Sequence, residues 1–182
     1  MRPAVVSLFS GIGGFDLGLE RAGFRIVAQC DNDPFCNKVL AKHWPGVPRY
    51  GDVRNVGIRH LQSSGVTRTG ANIECRGRIG TSLGVDLVCG GFPCQDLSVA
   101  GKRAGLSGER SGLWFEFHRV LSELRPTFCL IENVPGLLSS NGGRDFAVIL
   151  NGLGELGFAC SWAVLDAQHF GVPQRRRRVF VV

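Results

Sequence analysis

Short β-branched apolar runs alternate along the chain with stretches whose apolar positions recur at helical spacing. Positions 5–9 predict a strand, 15–22 a helix closed by Gly23, and 25–31 a second strand. Positions 34–43 predict a helix, with Asp33 as its N-cap and Pro34 at its first position. Positions 85–89 predict a strand, 113–124 a helix that ends before Pro126, and 128–132 a strand. Positions 145–156 predict a helix ended by Gly157, and 161–165 and 179–182 predict strands. Strands separated by helices of this length indicate an α/β fold with a mostly parallel sheet and helices on both faces. The stretch 54–84, rich in Gly, Ser, Thr and Arg, is less regular and reads as a surface excursion with one short helix rather than a second domain.

Composition narrows the class. The 182 residues suffice for a single domain, 1–182, with a full core. No apolar run approaches the roughly 20 residues of a membrane span, and the N-terminus lacks a signal peptide's longer apolar region and cleavage site. The expectation is a cytoplasmic protein. Seven cysteines (Cys30, Cys36, Cys75, Cys89, Cys94, Cys129 and Cys160) are scattered and odd in number, and none forms a C-x-x-C pair, so neither a metal site nor a disulfide framework is expected. The net charge is +6, but the run at 175–178 supplies four of those charges and the balance without it is +2. The basic surplus is local, and the chain as a whole is no strongly cationic clamp.

Candidate chemistry gathers where strands end. The sequence VDLVCGGFPCQDLS places Cys94 after a buried strand, two glycines and Pro93. A packing cysteine does not need a tight, stiffened loop, whereas a nucleophile held within reach of a substrate does. The first strand runs into Ser10-Gly11-Ile12-Gly13-Gly14, where backbone N–H groups can approach a ligand closely. The spacing is not the dinucleotide fingerprint, because the third glycine position is Asp16. The next strand ends in Asp31, where an acidic side chain can bind ribose hydroxyls. Asp52 could end a third strand nearby, although alone it reads more readily as a turn or cap residue. Glu132 follows an apolar strand, and a partly desolvated carboxyl there suits acid or hydrogen-bond-donor work; a cap or an ion pair is the plainer alternative. Gln174 precedes Arg175 to Arg178, which alone reads as a solvated basic patch. Strand alternation would put Arg176 and Arg178 on one face and Arg175 and Arg177 on the other.

Four segments in order, FSGIGGFDLGLERAG, GGFPCQDLS, ENVPG and QRRRRVF, closely resemble the motifs of the cytosine-5 DNA methyltransferase family over nearly the whole chain. The resemblance implies a Rossmann-like methyltransferase fold, S-adenosyl-L-methionine as co-substrate, no metal, and double-stranded DNA as substrate, with the target cytosine flipped from the stack. It assigns Cys94 as the nucleophile at cytosine C6, Glu132 as the contact to ring N3 and the exocyclic amine, Arg176 as a holder of the base and loop, and Arg178 as its support. It implies that Phe9, Gly11, Ile12 and Gly13 line the donor site, that Asp31 holds the ribose hydroxyls with Asn32 beside the adenine, that Asp52 and Val53 contact the adenine, and that Pro93 and Leu113 complete the pocket. Nothing adjoining Cys94 in sequence lowers its pKa, so help from Arg176 or a helix N-terminus is the expectation.

Family members continue past the arginine motif into a target-recognition region, a further motif and a final helix. The chain is therefore expected to be C-terminally incomplete: the catalytic part of a modification-system enzyme from a restriction–modification system or phage, or one subunit of a split enzyme whose partner carries the recognition region. A non-catalytic S-adenosylmethionine-binding subunit and an RNA cytosine-5 methyltransferase are the alternatives.

Overall fold

Residues 2–66, 84–93 and 112–182 are described in a computed structural model of the chain. They fall into two compact units, one comprising Met1–Gly90 with Arg119–Cys129, the other Gly91–His118 with Leu130–Val182.

The first unit is built on parallel strands in the order β3, β2, β1, β4: β1 (Ala4–Leu8), β2 (Arg25–Cys30), β3 (Arg49–Tyr50) and β4 (Leu87–Gly90). All five residues of β1 and all four of β4 are buried. A strand covered on both faces cannot alternate polar and apolar residues, which is why these segments read as continuous apolar runs. Helix α1 (Gly14–Arg21) returns the chain from β1 to β2, and α2 (Pro34–His43) leads from β2 towards β3. Asp33 caps α2 through Phe35 N–H (2.7 Å) and Cys36 N–H (3.3 Å), with Pro34 in the first turn. A cap of this kind is worth about 1 kcal/mol. The excursion after β3 starts with a 3-10 turn (Val53–Asn55) and α3 (Ile58–Ser63); residues 67–83 lie outside the described set.

The second unit carries an antiparallel ladder in the order β5 (Phe128–Asn133), β7 (Arg177–Val181), β6 (Trp162–Asp166). The second unit also contains the first part of α4 (Leu113–Leu124), up to His118, then α5 (Arg144–Glu155) and 3-10 turns at Pro135–Leu138, Ser140–Gly143 and Ala167–Phe170. Phe92 packs on Trp114 (ring centroids 5.4 Å) and Phe117 (5.9 Å), and Trp114 stacks on Phe117 at 6.2 Å. Residues 94–111 are not described, but the residues flanking them are thus joined by an aromatic contact. Gly152 in α5 admits this cluster, since a Cβ there would lie 3.0 Å from the Trp114 ring and 3.1 Å from His118. His118 Nε2 also lies 3.0 Å from the Gly152 carbonyl oxygen.

The elements read from the sequence agree in their bounds to within two residues; the two-residue differences are the starts of β4, at Leu87 rather than Val85, and of β7, at Arg177 rather than Val179. Asp166 and Leu165 of β6 pair with Arg177 and Arg178, and this long-range ladder draws charged residues into a strand that their own propensity does not favour.

Candidate active site

In the first unit, the loop after β1 is shaped by left-handed backbone at Phe9 (φ 53), Gly11 (φ 56) and Gly13 (φ 90). Phe9 is the unusual one, because a bulky residue adopts this region only under constraint. That constraint is a set of hydrogen bonds beneath the loop. Ser10 N–H donates to the Cys30 carbonyl (2.9 Å), and Cys30 N–H donates to Ser10 Oγ (3.2 Å). The Ser10 hydroxyl lies 3.0 Å from both the Ser7 carbonyl oxygen and Ser7 Oγ.

Gly11 and Gly13 have different roles. A Cβ added at Gly11 meets nothing within 4 Å, so its backbone faces open space, as close approach to a ligand requires. A Cβ at Gly13 would clash with the Trp44 ring, so this glycine serves the packing of the segment after α2. Ile12 between them is 60% exposed. Asp31 joins the same loop: Gly11 N–H donates to its Oδ2 (2.7 Å) and Asp33 N–H to its Oδ1 (2.9 Å). Asn32 follows, exposed. Asp52 accepts from Arg54 N–H at 2.9 Å and lies 3.7 Å from the Arg54 guanidinium, while Val53 is buried. Asp52 is thus a capping residue in its own right, with its carboxylate still 43% exposed. An open glycine backbone, a fixed carboxylate after β2 and a second carboxylate after β3 fit a nucleoside-bearing ligand such as S-adenosylmethionine.

Sequence reasoning missed the polar cluster under this loop. Asp16 of α1 is fully buried and accepts from Ser7 Oγ (3.0 Å) and Gln29 Nε2 (2.7 Å). Burial pushes its carboxyl above the ordinary range, and the two hydrogen bonds only partly oppose this. Gln29 Oε1 is buried without a hydrogen-bond partner. The available signal was Asp16 itself, an acid on an otherwise apolar helix face. Two cysteines flank the cluster: burial drives the Cys30 thiol up to about 12 and raises Cys89 further, so both are inert packing thiols at neutral pH.

In the second unit, Glu132 and Arg178 meet. Glu132 pairs with Phe180 across β5 and β7, which makes Arg178 its diagonal neighbour on the same face. Arg178 Nε donates to Glu132 Oε1 at 2.8 Å, with the two side chains about one-quarter exposed (25% and 24%). Gly91 lies against the same carboxylate, since a Cβ there would sit 2.7 Å from Glu132 Oε2. Only glycine allows that approach. The next residue, Asn133, donates from Nδ2 to the Phe92 carbonyl (3.0 Å) and accepts from Val134 N–H (2.9 Å). The strand carrying Glu132 is thereby tied to the chain two residues before Cys94. Cys94 itself lies outside the described residues; Pro93 is exposed, and Leu113 at the start of α4 is half-buried.

The four arginines separate. Arg175, Arg176 and Arg177 are exposed, and Arg178 turns to Glu132. Arg176 precedes the strand, so the alternation expected to pair it with Arg178 does not apply to it. Its backbone is held instead by Asp166, whose Oδ1 accepts from Arg176 N–H (3.0 Å), while Ala167 N–H donates to the Arg176 carbonyl (3.0 Å). Among the described residues, no group of three or more His, Cys, Asp or Glu side chains is placed to hold a metal ion, and no helix is long and apolar enough to cross a membrane.

Comparison with known proteins follows the same lines. The pattern of the C-5 cytosine-specific DNA methylase family matches residues 4–182. The type II methyltransferase M2.BsuMI of Bacillus subtilis (strain 168) is 40% identical over 182 residues, 98% of this chain and 41% of that protein. The type II methyltransferase M.AquIA of a Picosynechococcus strain is 36% identical over 191 residues, 100% of this chain and 72% of that protein. A crystal structure described as a DNA modification methyltransferase encoded within a prophage (E. coli) superposes with a TM-score of 0.74 at 26% identity, covering 98% of this chain and 45% of the other. The Dnmt2 methyltransferase of S. pombe, at 20% identity and a TM-score of 0.66, shares the fold over 99% of this chain and 48% of its own. The chain therefore spans less than half the length of M2.BsuMI and of both solved structures.

Proposed function

Because the chain belongs to the C-5 cytosine-specific DNA methylase family, we propose that it is the catalytic part of a cytoplasmic DNA (cytosine-5-)-methyltransferase from a modification system, forming one catalytic domain over 1–182. The observation that carries this reading is the Glu132 constellation: a carboxylate fixed by Arg178, approached closely by Gly91, and followed by an asparagine that holds the chain two residues before Cys94.

Cytosine C6 is a weak electrophile, so covalent catalysis by a soft thiolate suits it. The Cys94 thiolate adds to C6 and leaves C5 electron-rich. S-adenosyl-L-methionine would supply an electrophilic methyl group to C5 and leave as S-adenosylhomocysteine. Loss of the C5 proton and expulsion of the thiolate then restore the aromatic ring. Glu132 accepts from the exocyclic amine of the flipped base and gives a proton to ring N3 as the thiolate adds, so that negative charge does not build up on the ring, and takes it back when the thiolate leaves. Arg178 orients that carboxylate, and Arg176 holds the base and its loop. On the donor side, the backbone at Phe9 to Gly13 approaches the amino-acid part, Asp31 holds the ribose hydroxyls, and Asn32, Asp52 and Val53 surround the adenine.

The reading extends to a second chain that carries the target-recognition region. What supports it is the length of M.AquIA: the alignment covers 72% of that type II methyltransferase but 41% of M2.BsuMI, so methyltransferases of the family differ greatly in length. The test mixes this protein, with and without the protein encoded beside it, with duplex DNA and methyl-labelled S-adenosylmethionine, and repeats the mixture with transfer RNA. The expected result is label on cytosine C5 of DNA, site-specific only in the mixture. Donor binding without transfer in any mixture would instead indicate a non-catalytic subunit, and label on RNA alone would overturn the DNA assignment.

A further inference from the structure

Arg119 and Glu123 stand one turn apart on α4, and their side chains reach the loop that follows β3. Arg119 Nη2 donates to the Val53 carbonyl (3.1 Å) and the Val56 carbonyl (2.9 Å), with the Arg54 carbonyl at 3.5 Å. Its Nη1 donates to Glu123 Oε1 at 2.6 Å, and Glu123 Oε2 accepts from Ile58 N–H at 3.0 Å. One ion pair thus holds a loop of six residues, 53–58, by its carbonyls at one end and an amide at the other. The fit is close: a Cβ on Gly57 would lie 2.6 Å from Glu123 Oε2 and 3.3 Å from Arg119 Nη1. Burial pulls the Glu123 carboxyl upward, but Ile58 N–H and Arg119 together outweigh it and hold the group below its ordinary value. A guanidinium that satisfies several carbonyls of one loop fixes the loop's shape as well as its position.

We infer that Arg119 and Glu123 are positioning residues for recognition of the donor's adenine: they set the loop that begins at Val53, which with its neighbour Asp52 faces that base. The inference rests on the reading of Asp52 and Val53 as adenine contacts. Neither Arg119 nor Glu123 touches the donor. The clamp acts through the backbone at Val53 and through Asp52, its immediate neighbour, and so bears on which base is accepted more than on the methyl transfer itself.

The test compares two ligands that differ only at the base, S-adenosylhomocysteine and S-inosylhomocysteine, whose hypoxanthine carries a carbonyl in place of the adenine amine. Dissociation constants are measured calorimetrically on the full protein, with thermal unfolding alongside. The wild type is expected to prefer the adenine ligand. Arg119→Met should cut that preference roughly tenfold, the effect of losing about one charge-assisted hydrogen bond's worth of positioning, and leave binding of the inosine ligand unchanged. Glu123→Gln keeps an acceptor for Ile58 N–H and should cut the preference less, in the same direction. Equal weakening of both ligands by Arg119→Met would show a merely structural role and overturn the inference, as would an unchanged preference. If Arg119→Met does not fold, Glu123→Gln decides by the same criterion. A wild type with no adenine preference overturns the reading of Asp52 and Val53 and the inference with it, and this shows before any variant is made.

Discussion

The two compact units solve opposite problems. In the first, a parallel ladder is buried on both faces, and its polar groups are sealed beneath a glycine loop: Ser7, Ser10, Asp16 and Gln29 bond to one another and to backbone. In the second, an antiparallel ladder leaves β6 largely exposed, and the charged pair Glu132–Arg178 stays within reach of solvent. On the proposed reading, the first arrangement would give a rigid floor for a donor that is always the same, and the second would leave a carboxylate accessible to a base that must enter and leave. The proposed donor chemistry and base chemistry thus fall on regions of different physical character, and variants should separate them.

The sharpest separation is expected from Cys94→Ser. Methyl transfer should fall below detection while donor affinity stays at the wild-type value, measured by label incorporation beside calorimetry. Undiminished transfer would remove the covalent mechanism. Next, Glu132→Gln should lower kcat by about 10²- to 10⁴-fold, the range for loss of a positioned acid or base, and leave donor binding unchanged. Arg178→Lys, which retains charge but not the planar fork, should fall between wild type and Glu132→Gln. Asp31→Asn should do the reverse, weakening donor binding about tenfold for one lost charge-assisted hydrogen bond with little change in kcat at saturating donor. An equal effect of Asp31→Asn and Glu132→Gln on both constants would erase the distinction between the units.

The smallest effect concerns Asp16. Its carboxyl is pushed up in the folded protein, so the folded state binds this proton more tightly than the unfolded state. The contribution favours folding below the ordinary carboxylate range and is lost as pH rises through the raised folded value. Asp16→Asn removes that loss and keeps both hydrogen bonds, because the Ser7 hydroxyl can accept as well as donate. Urea denaturation should therefore show the variant gaining on the wild type as pH rises from about 4, the ordinary carboxylate range, to about 8. A constant difference across that interval would mean that Asp16 is not raised.

The same contrast governs what could be read from the sequence. α2 is written locally, in Asp33, Pro34 and an apolar stripe, and its sequence-predicted bounds are the observed ones. The loop after β1 and the carboxylate at Asp31 are local signals too, glycines and an acid at a strand's end. Taken alone, Asp52 reads as a turn or cap residue, and it does cap the turn at Val53–Asn55. By contrast, the partner of Glu132 depends on the register of β5 against β7. Four consecutive arginines offer equivalent charges, and only the pairing of Glu132 with Phe180 selects Arg178. The contact of Arg119 with the Val53 and Val56 carbonyls spans more than sixty positions and carries no compositional mark. The contact of the Asn133 amide with the Phe92 carbonyl, 41 positions away, is equally unmarked.

Asp31 carries a kinetic consequence. Both of its oxygens are aligned by the chain's own amides, Gly11 N–H on one and Asp33 N–H on the other. Each oxygen keeps a further lone pair, so on the proposed reading a ribose docking there would meet an acceptor whose direction was settled when the protein folded. No search through side-chain rotamers stands between encounter and capture. Donor association should then follow a single exponential whose rate rises linearly with concentration, with no plateau to betray a slow rearrangement of this loop.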